Sequence, residues 1–249
     1  MSVPEATKQR LIAYADQYET ADFIVGDPSW WMHQVKGIEN QETMAFLASA
    51  LSYGSRKQFM PKIGQLLEWS GGDVHDWVKN GAFEDQLRRG DESCFYRLYN
   101  KDCMNGFLCA CRQMYKEYDT MGTFIRHHAC DGFGAVDAIC SFFRNHNASQ
   151  VIPKNTMSAC KRVCMFLRWM VRDNSPVDLG LWSDCIDKAD LIMPLDTHVL
   201  QQSVKLGLLS SSTASMSAAR RLSAAMSEVF PGDPLRGDFA LFGYGVIYD

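Results

Sequence analysis

The sequence predicts an all-α protein, and three observations support that class. Apolar residues recur at three- and four-residue spacing through most of the 249 residues, which is the period of an amphipathic helix. Runs that alternate between apolar and polar residues, as half-buried strands do, are scarce. Breaker clusters such as Gly71-Gly72 and residues 231–234 are short, so they indicate turns between helices rather than a flexible linker. We therefore expect one all-helical domain over residues 1–249.

Each predicted helix is a stretch of this periodicity bounded by a turn. Asp196 directly precedes one of them and is expected to be its N-cap, because its carboxylate accepts hydrogen bonds from the free amides of a first turn. A Ser or Thr of residues 153–158 is expected to cap another. The expected helices lie near residues 2–20, 40–53, 56–69, 73–80, 83–87, 103–117, 121–126, 135–145, 158–172, 197–206, 216–229 and 238–246.

The composition excludes several classes of protein. Hydrophobic residues make up 47% of the chain, yet no apolar stretch approaches the roughly 18 to 20 residues of a membrane helix. Residues 1–16 lack the apolar core of a signal peptide. The nine cysteines are odd in number and include no CxxC pair, which disfavours a disulfide framework and a zinc site. We expect a soluble, cytoplasmic protein without a metal or another cofactor.

One basic segment stands out in a chain whose formal net charge is -4. Residues 151–172 contain no Asp or Glu, and Lys161, Arg168 and Arg172 share one stripe of the predicted helix, opposite an apolar face. This stripe is expected to offer positive charge to a partner. The start of the helix has unpaired amide donors, and with Lys154 beside it we expect it to bind a DNA phosphate.

Lys161 and Asp196 allow a structural and a functional interpretation. In the structural one, Asp196 only caps its helix and Lys161 only forms an ion pair or extends to solvent. In the functional one, the amine and the carboxylate face each other in one cleft and act on a substrate. Their spacing in the sequence alone does not decide between these interpretations.

Several short motifs, distributed over most of the chain, carry a family resemblance. They are Cys160-Lys161-Arg162 with residues 165–172, Val177-Asp178-Leu179-Gly180, Pro194-Leu195-Asp196-Thr197-His198, and the stretches 50–56 and 238–243. Together they resemble the uncharacterised bacterial family DUF2400. The lysine on a helix after a hairpin turn and the later Leu-Asp-x-His helix start also resemble the helix-hairpin-helix (HhH-GPD) DNA glycosylases, which include endonuclease III and the 8-oxoguanine glycosylases.

The glycosylase resemblance implies a fold and a reaction. The fold would have two packed helical lobes, or subdomains, with a cleft between them, and residues 151–206 would form the helix-hairpin-helix-like segment. The enzyme would be a DNA glycosylase and AP lyase that extrudes a damaged base from double-stranded DNA, with an oxidised purine such as 8-oxoguanine favoured. Lys161 would attack the sugar C1′ and form a Schiff base, and Asp196 would stabilise positive charge on the sugar.

The resemblance also implies that the protein lies in the bacterial cytoplasm and is associated with the nucleoid when the enzyme is active. It further implies which residues contact the DNA. Each residue concerned has a simpler interpretation as a core or solvated surface residue. The expected contacts to the DNA backbone come from Lys154, Arg162, Arg168, Arg172, His198, Ser55 and Arg56, and the expected base pocket from Phe242, Trp30 and Trp31.

The chain departs from these glycosylases in two ways. Met157-Ser158-Ala159-Cys160 stands where they have Gly-x-Gly before the lysine, and no cysteine follows Cys185, so no C-terminal iron–sulfur cluster is expected. Two other functions remain open. One is a non-catalytic nucleic-acid-binding module on the same scaffold, and the other is a helical hydrolase of unrelated mechanism, for which the sequence offers no nucleophile elbow.

Overall fold

A computed structural model describes residues 3–210 and 213–248 of the chain, and most of these residues are helical, as predicted. In this described part, no helix is long and apolar enough to cross a bilayer. Short 3-10 helices cover Ala21–Ile24, Pro28–His33, Ala82–Asp85 and Lys188–Asp190. The α-helices are α1 Glu5–Tyr18, α2 Ile38–Leu51, α3 Arg56–Trp69, α4 Val74–Lys79, α5 Lys101–Tyr118, α6 Met121–His128, α7 Gly132–Asn145, α8 Lys161–Val171, α9 Thr197–Lys205, α10 Met216–Ser227 and α11 Arg236–Tyr248.

Most predicted helices lie within a few residues of the observed bounds, and the exceptions have local causes. The helix predicted at 83–87 is only a 3-10 turn, and Ser2, at the start of the first predicted helix, lies outside the described residues. α8 begins at Lys161 rather than at residue 158, because Cys160 adopts a left-handed backbone conformation with φ +47°. The predicted Ser or Thr cap of this helix is therefore wrong, since α8 has no side-chain cap.

A small β-hairpin was not expected from the sequence. Strand β1, Cys94–Tyr96, pairs in antiparallel fashion with β2, Tyr99–Asn100. Strands of three and two residues are too short to show the alternating pattern that indicates a strand. Arg97 and Leu98 form the turn, in which Arg97 takes a left-handed conformation with φ +50°.

The chain forms two compact units, each built from segments that are distant in sequence. Unit 1 comprises Met1–Val25, Cys130–Val136 and Thr156–Asp249, and unit 2 comprises Gly26–Ala129 and Asp137–Asn155. Helices α1 and α8 to α11 therefore belong to unit 1, and α2 to α6 with the hairpin belong to unit 2. α7 contributes its first residues to unit 1 and the rest to unit 2.

Unit 2 is organised around α2. Every residue of this helix from Glu42 to Leu51 is buried, as expected for a helix enclosed by its neighbours. Phe46 of α2 packs with Phe107 of α5 and Phe143 of α7 at ring-centroid distances of 5.7 and 5.3 Å.

Unit 1 depends on the close packing of α11 against α1 and α9. A Cβ atom on Gly243 would lie 2.3 Å from the ring of Tyr18 in α1, so only glycine allows this approach. In the same way, a Cβ on Gly245 would lie 2.1 Å from Nε2 of His198 in α9. Gly243 thus allows α11 to pack against α1, and Gly245 allows it to pack against the start of α9.

Candidate functional site

Lys161 is the first residue of α8. The residue before it, Cys160, has a left-handed backbone conformation that turns the chain into the helix. Ala159 and Cys160 are buried and anchor this turn, and every residue of α8 from Val163 to Val171 is buried. The Lys161 side chain itself keeps 30% of its surface exposed. A flexible amine therefore extends from a firmly held helix start and remains accessible to a substrate.

Asp196 lies at the N-cap of α9, as the sequence predicts. Its Oδ1 accepts a hydrogen bond from the backbone N–H of Val199 at 2.9 Å. The preceding residues Leu191 to Leu195 are buried, so the carboxylate is held at the end of a fixed segment. Its side chain is nevertheless 42% exposed, and its second oxygen is available for another partner.

The structure brings Lys161 and Asp196 together. Lys161 Nζ lies 3.8 Å from Asp196 Oδ2, the oxygen that does not serve the helix cap. The two carboxylate oxygens of Asp196 thus have separate tasks, one toward the backbone of α9 and one toward the amine. Both side chains are partly exposed and both lie at helix N-termini, where free amide donors and the helix dipole favour an anion.

A second carboxylate lies near this pair. Asp238, in the first turn of α11, contacts the guanidinium of Arg168, and its side chain is 18% exposed. Burial raises the pKa of Asp238, opposed by Arg168, and the nearby Asp196 raises it further while Lys161 lowers it. Asp238 is therefore electrostatically coupled to both members of the pair, and sequence analysis did not assign it to the site.

The structure contradicts the expectation that Arg168 and Arg172 offer positive charge to DNA. Their side chains are only 4% and 1% exposed. Arg168 Nε donates to Asp178 Oδ1 at 3.2 Å, and Arg172 Nε donates to Asp233 Oδ1 at 2.8 Å. Guanidinium groups that are buried and bound by carboxylates cannot reach a phosphate. Of the three residues of the predicted basic stripe, only Lys161 therefore remains accessible.

These arginines form part of a buried ionic network. Asp178, whose side chain is fully buried, bridges Arg168 and Arg172. Glu19, which directly follows α1, accepts from Arg172 Nη2 at 2.7 Å and from Arg236 Nε at 2.8 Å. Burial alone would raise the pKa of Glu19, but the attraction and hydrogen bonds of Arg172, with a hydrogen bond from Arg236, hold it below its usual value.

The other predicted residues of unit 1 are placed as follows. Arg162 follows Lys161 and is half-buried, and the half-buried His198 has its ring against Gly245 of α11. Phe242 is half-buried and packs edge-on against Tyr18 and Phe23, at centroid distances of 5.6 and 5.1 Å. Its role in a base pocket remains a prediction.

The remaining predicted residues belong to unit 2. Arg56, at the start of α3, pairs with Asp27 at 3.3 Å and is 54% exposed, and the neighbouring Ser55 is exposed as well. Trp30 is 37% exposed, whereas Trp31 packs against Gly64, where a Cβ would lie 2.7 Å from the indole. Lys154 is exposed.

The turn of the β-hairpin is a second feature that sequence analysis missed. Leu98 is 86% exposed, although its backbone N–H donates to the hydroxyl of Tyr53 at 3.3 Å. Tyr53 and Tyr96 donate to each other's backbone carbonyls, and the Arg97 guanidinium lies over the Tyr53 ring at 5.6 Å. The turn is thus braced while presenting an apolar side chain to solvent. In the sequence, a single Leu in a segment without a strand pattern gives only a weak indication of such a turn.

The fold and this geometry define a helical protein that presents a lysine–aspartate pair at the starts of two helices. The family model described as "Protein of unknown function (DUF2400)" matches residues 27–247, so the chain belongs to this family. The resemblance to that family is thereby confirmed, whereas the link to the helix-hairpin-helix glycosylases stays a prediction. Neither the curated proteins nor the solved structures provide a match to the chain.

Proposed function

We propose that the chain is a DNA glycosylase with AP-lyase activity that excises a damaged base, an oxidised purine first of all, from double-stranded DNA. The observation that carries this proposal is the 3.8 Å separation of Lys161 Nζ and Asp196 Oδ2, with both groups partly exposed. An amine and a carboxylate at this distance are what imine chemistry at a sugar carbon requires. The glycosylase-like fold, with a cleft between two lobes, is part of the same proposal.

The proposed reaction begins with transfer of a proton from Lys161 to Asp196 or to water. The amine then attacks C1′, a C1′–N bond forms to Lys161, and the bond from C1′ to the base breaks, with the base taking the electron pair and a proton. The C1′–O4′ bond then breaks, O4′ takes the electron pair and the remaining proton of the lysine nitrogen, and the open-chain sugar is left as an imine of Lys161. Loss of the C2′ proton then expels the 3′ phosphate and breaks the strand. Asp196 Oδ2 stabilises the positive charge that develops on the sugar.

The helix starts support the binding of DNA at this place. Lys161 and Asp196 stand at the N-terminal ends of α8 and α9, whose first amides and dipoles favour phosphate oxygens. Arg162 follows Lys161 directly and adds positive charge there. The net charge of -4 for the whole chain means that binding depends on this local surface, so affinity is expected to be highest at low salt.

Trapping with borohydride tests the proposal. Wild-type protein at low salt, incubated with a duplex that contains 8-oxoguanine or an abasic site, is expected to give a covalent adduct when borohydride reduces the imine to an amine. Lys161→Gln is expected to abolish the adduct, because the variant has no nucleophilic amine. Lys188→Gln is the matched control, since Lys188 also pairs with an aspartate and its side chain is 27% exposed. The adduct is measured by denaturing gel and located by peptide mass spectrometry.

Two outcomes would contradict the proposal. An adduct that survives in Lys161→Gln would mean that another amine reacts. Binding of the duplexes without any adduct on either substrate would favour the non-catalytic nucleic-acid-binding module instead.

A further inference from the structure

An open groove lies along α10 on unit 1, and we call it the arginine groove. Its volume of about 470 Å³ is in the range of sites that hold ligands. The described residues that line it all belong to unit 1, and none of these is an aspartate or a glutamate. They include Phe133 of α7, Thr156 in the segment before α8, and Ser217, Arg220 and Arg221 of α10.

The two arginines of the groove are consecutive residues of α10 whose charges are not neutralised. Arg220 and Arg221 are both exposed, and within the described part of the chain neither forms an ion pair with a carboxylate. Arg220 contacts the ring of Phe133, and Arg221 Nη1 donates to Ser217 Oγ at 2.9 Å. Arg168 of α8, in contrast, is bound by two carboxylates. The arginine groove therefore keeps its positive charge for an external partner.

The ring of Phe133 fixes the direction of the Arg220 guanidinium. Cζ of Arg220 lies over the ring, 5.1 Å from its centroid, and Phe133 is half-buried in the first turn of α7. The preceding Gly132 packs so closely that a Cβ would lie 2.4 Å from the backbone oxygen of Asp190. The ring is thus held by the backbone. The stacked guanidinium keeps its N–H donors at its edges, where they match the oxygens of a phosphate.

Carboxylates line the two cavities beside the arginine groove. The cavity that shares Arg220 with the groove is lined by Asp131 and Asp190. The cavity that shares Arg221 with it is lined by Glu228. Because like charges repel, these carboxylates disfavour an anionic ligand in either neighbouring cavity and restrict it to the arginine groove.

The groove is connected to the Lys161–Asp196 pair by a short segment of chain. Lys161 is the fifth residue after Thr156, so the Cα atoms of these two residues are at most about 18 Å apart. A strand of B-DNA advances about 3.4 Å per nucleotide along the helix axis. A strand whose sugar lies at the Lys161 amine therefore has a phosphate within reach of the groove, about five nucleotides away or fewer.

We propose that the arginine groove binds backbone phosphate of the DNA strand on which Lys161 acts. The inference rests on the proposed function for the identity of the strand. Arg220 and Arg221 supply charge and paired donors, and the hydroxyl groups of Thr156 and Ser217 add neutral donors of the kind that contact phosphate oxygens. Contacts of this type carry no base sequence, so the groove sets the position of the strand rather than the choice of lesion.

The affinity for an undamaged duplex tests the inference without any chemistry. A short fluorescein-labelled DNA duplex is titrated with the full chain at several salt concentrations, and fluorescence anisotropy measures the affinity. The double variant Arg220→Gln/Arg221→Gln is expected to bind about tenfold more weakly at low salt, and its plot of log affinity against log salt is expected to be shallower by about 1 to 2. Both side chains are exposed, so the fold is expected to be retained.

The matched control removes the same charge elsewhere. Arg88→Gln/Arg89→Gln changes two consecutive arginines of unit 2 that are also exposed, and it is expected to change the affinity by less than about twofold. Equal losses in the two double variants would overturn the inference, because net charge alone would then explain them. An unchanged salt dependence in Arg220→Gln/Arg221→Gln would overturn it as well.

Two further measurements separate this inference from its alternatives. Vesicles of phosphatidylcholine and phosphatidylserine offer phosphate on a membrane surface. If they bind through Arg220 and Arg221 while the duplex does not bind, the inference fails. Borohydride trapping gives the other comparison. Trapping of wild type together with equal duplex affinity in Arg220→Gln/Arg221→Gln overturns this inference alone. A duplex affinity that falls as expected, with no adduct in wild type, overturns the proposed reaction alone.

Discussion

Replacing Asp178 with Ala is expected to lower the free energy of unfolding by about 3–5 kcal/mol, which is the usual effect of removing one partner from a buried ion pair. Asp178 is fully buried and bridges Arg168 and Arg172. Its loss leaves two guanidinium groups buried with fewer carboxylates, in a place where water cannot replace the missing partner. The substitution is expected to destabilise unit 1, because both arginines and all their carboxylate partners belong to it.

The remaining partners limit the damage but do not abolish it. Arg172 still has Asp233 and Glu19, at 2.8 and 2.7 Å, and Arg168 still has Asp238. However, Asp178 accepts from both arginines at once, and an Ala also leaves a cavity where the carboxylate was. We therefore expect a loss larger than that of an exposed ion pair, with the fold retained at room temperature.

Asp16→Ala is the control for this prediction. Asp16 pairs with Arg236 at 2.7 Å, but its side chain is 63% exposed, so its removal is expected to change the stability by less than about 1 kcal/mol. Urea unfolding at neutral pH, followed by circular dichroism, measures both variants. A loss below about 1 kcal/mol for Asp178→Ala would show that the network is dispensable for stability.

The contrast between Asp196 and Arg172 shows what the sequence could and could not predict. An N-cap is a local feature, because the aspartate and the amide that it binds lie three residues apart. Two of the three carboxylate partners of Arg172, in contrast, are Glu19 and Asp233, which are far away in the chain. A helical periodicity identifies one face of α8 as basic but carries no information on the distant carboxylates that neutralise it.

The same reasoning applies to the site. Lys161 and Asp196 were predicted as a pair because both lie in recognisable motifs, and the structure brings them to 3.8 Å. Asp238 was not predicted, since its place beside the pair depends on the packing of α11 against α9, which Gly245 permits. The left-handed Cys160 likewise has no sequence signal of the kind that a glycine gives. The sequence therefore predicted the residues that lie in local motifs, but not the charged residues that tertiary packing brings beside them.

Asp196→Asn is expected to separate the two tasks of this carboxylate. An Asn keeps an oxygen in the place of Oδ1, which accepts from Val199 N–H, so the cap of α9 should survive with a change in stability of less than about 0.5 kcal/mol. In the place of Oδ2 it puts an amide N–H₂ group, which cannot take a proton from Lys161 and repels its ammonium form. On the proposed function, base excision should then fall by about 10²- to 10⁴-fold.

Two further variants complete the comparison, because they separate loss of a cap from loss of a charge. Asp196→Ala loses both tasks, so it should lose about 1 kcal/mol of stability in addition to excision. Ser215→Ala removes the N-cap of α10, where Ser215 accepts from Ala218 N–H at 3.2 Å, and should lose similar stability while excision is unaffected. Thermal unfolding and single-turnover excision are measured on the same preparations. If Asp196→Asn excises at the wild-type rate, the carboxylate serves only as a helix cap, and the amine of Lys161 must work without it.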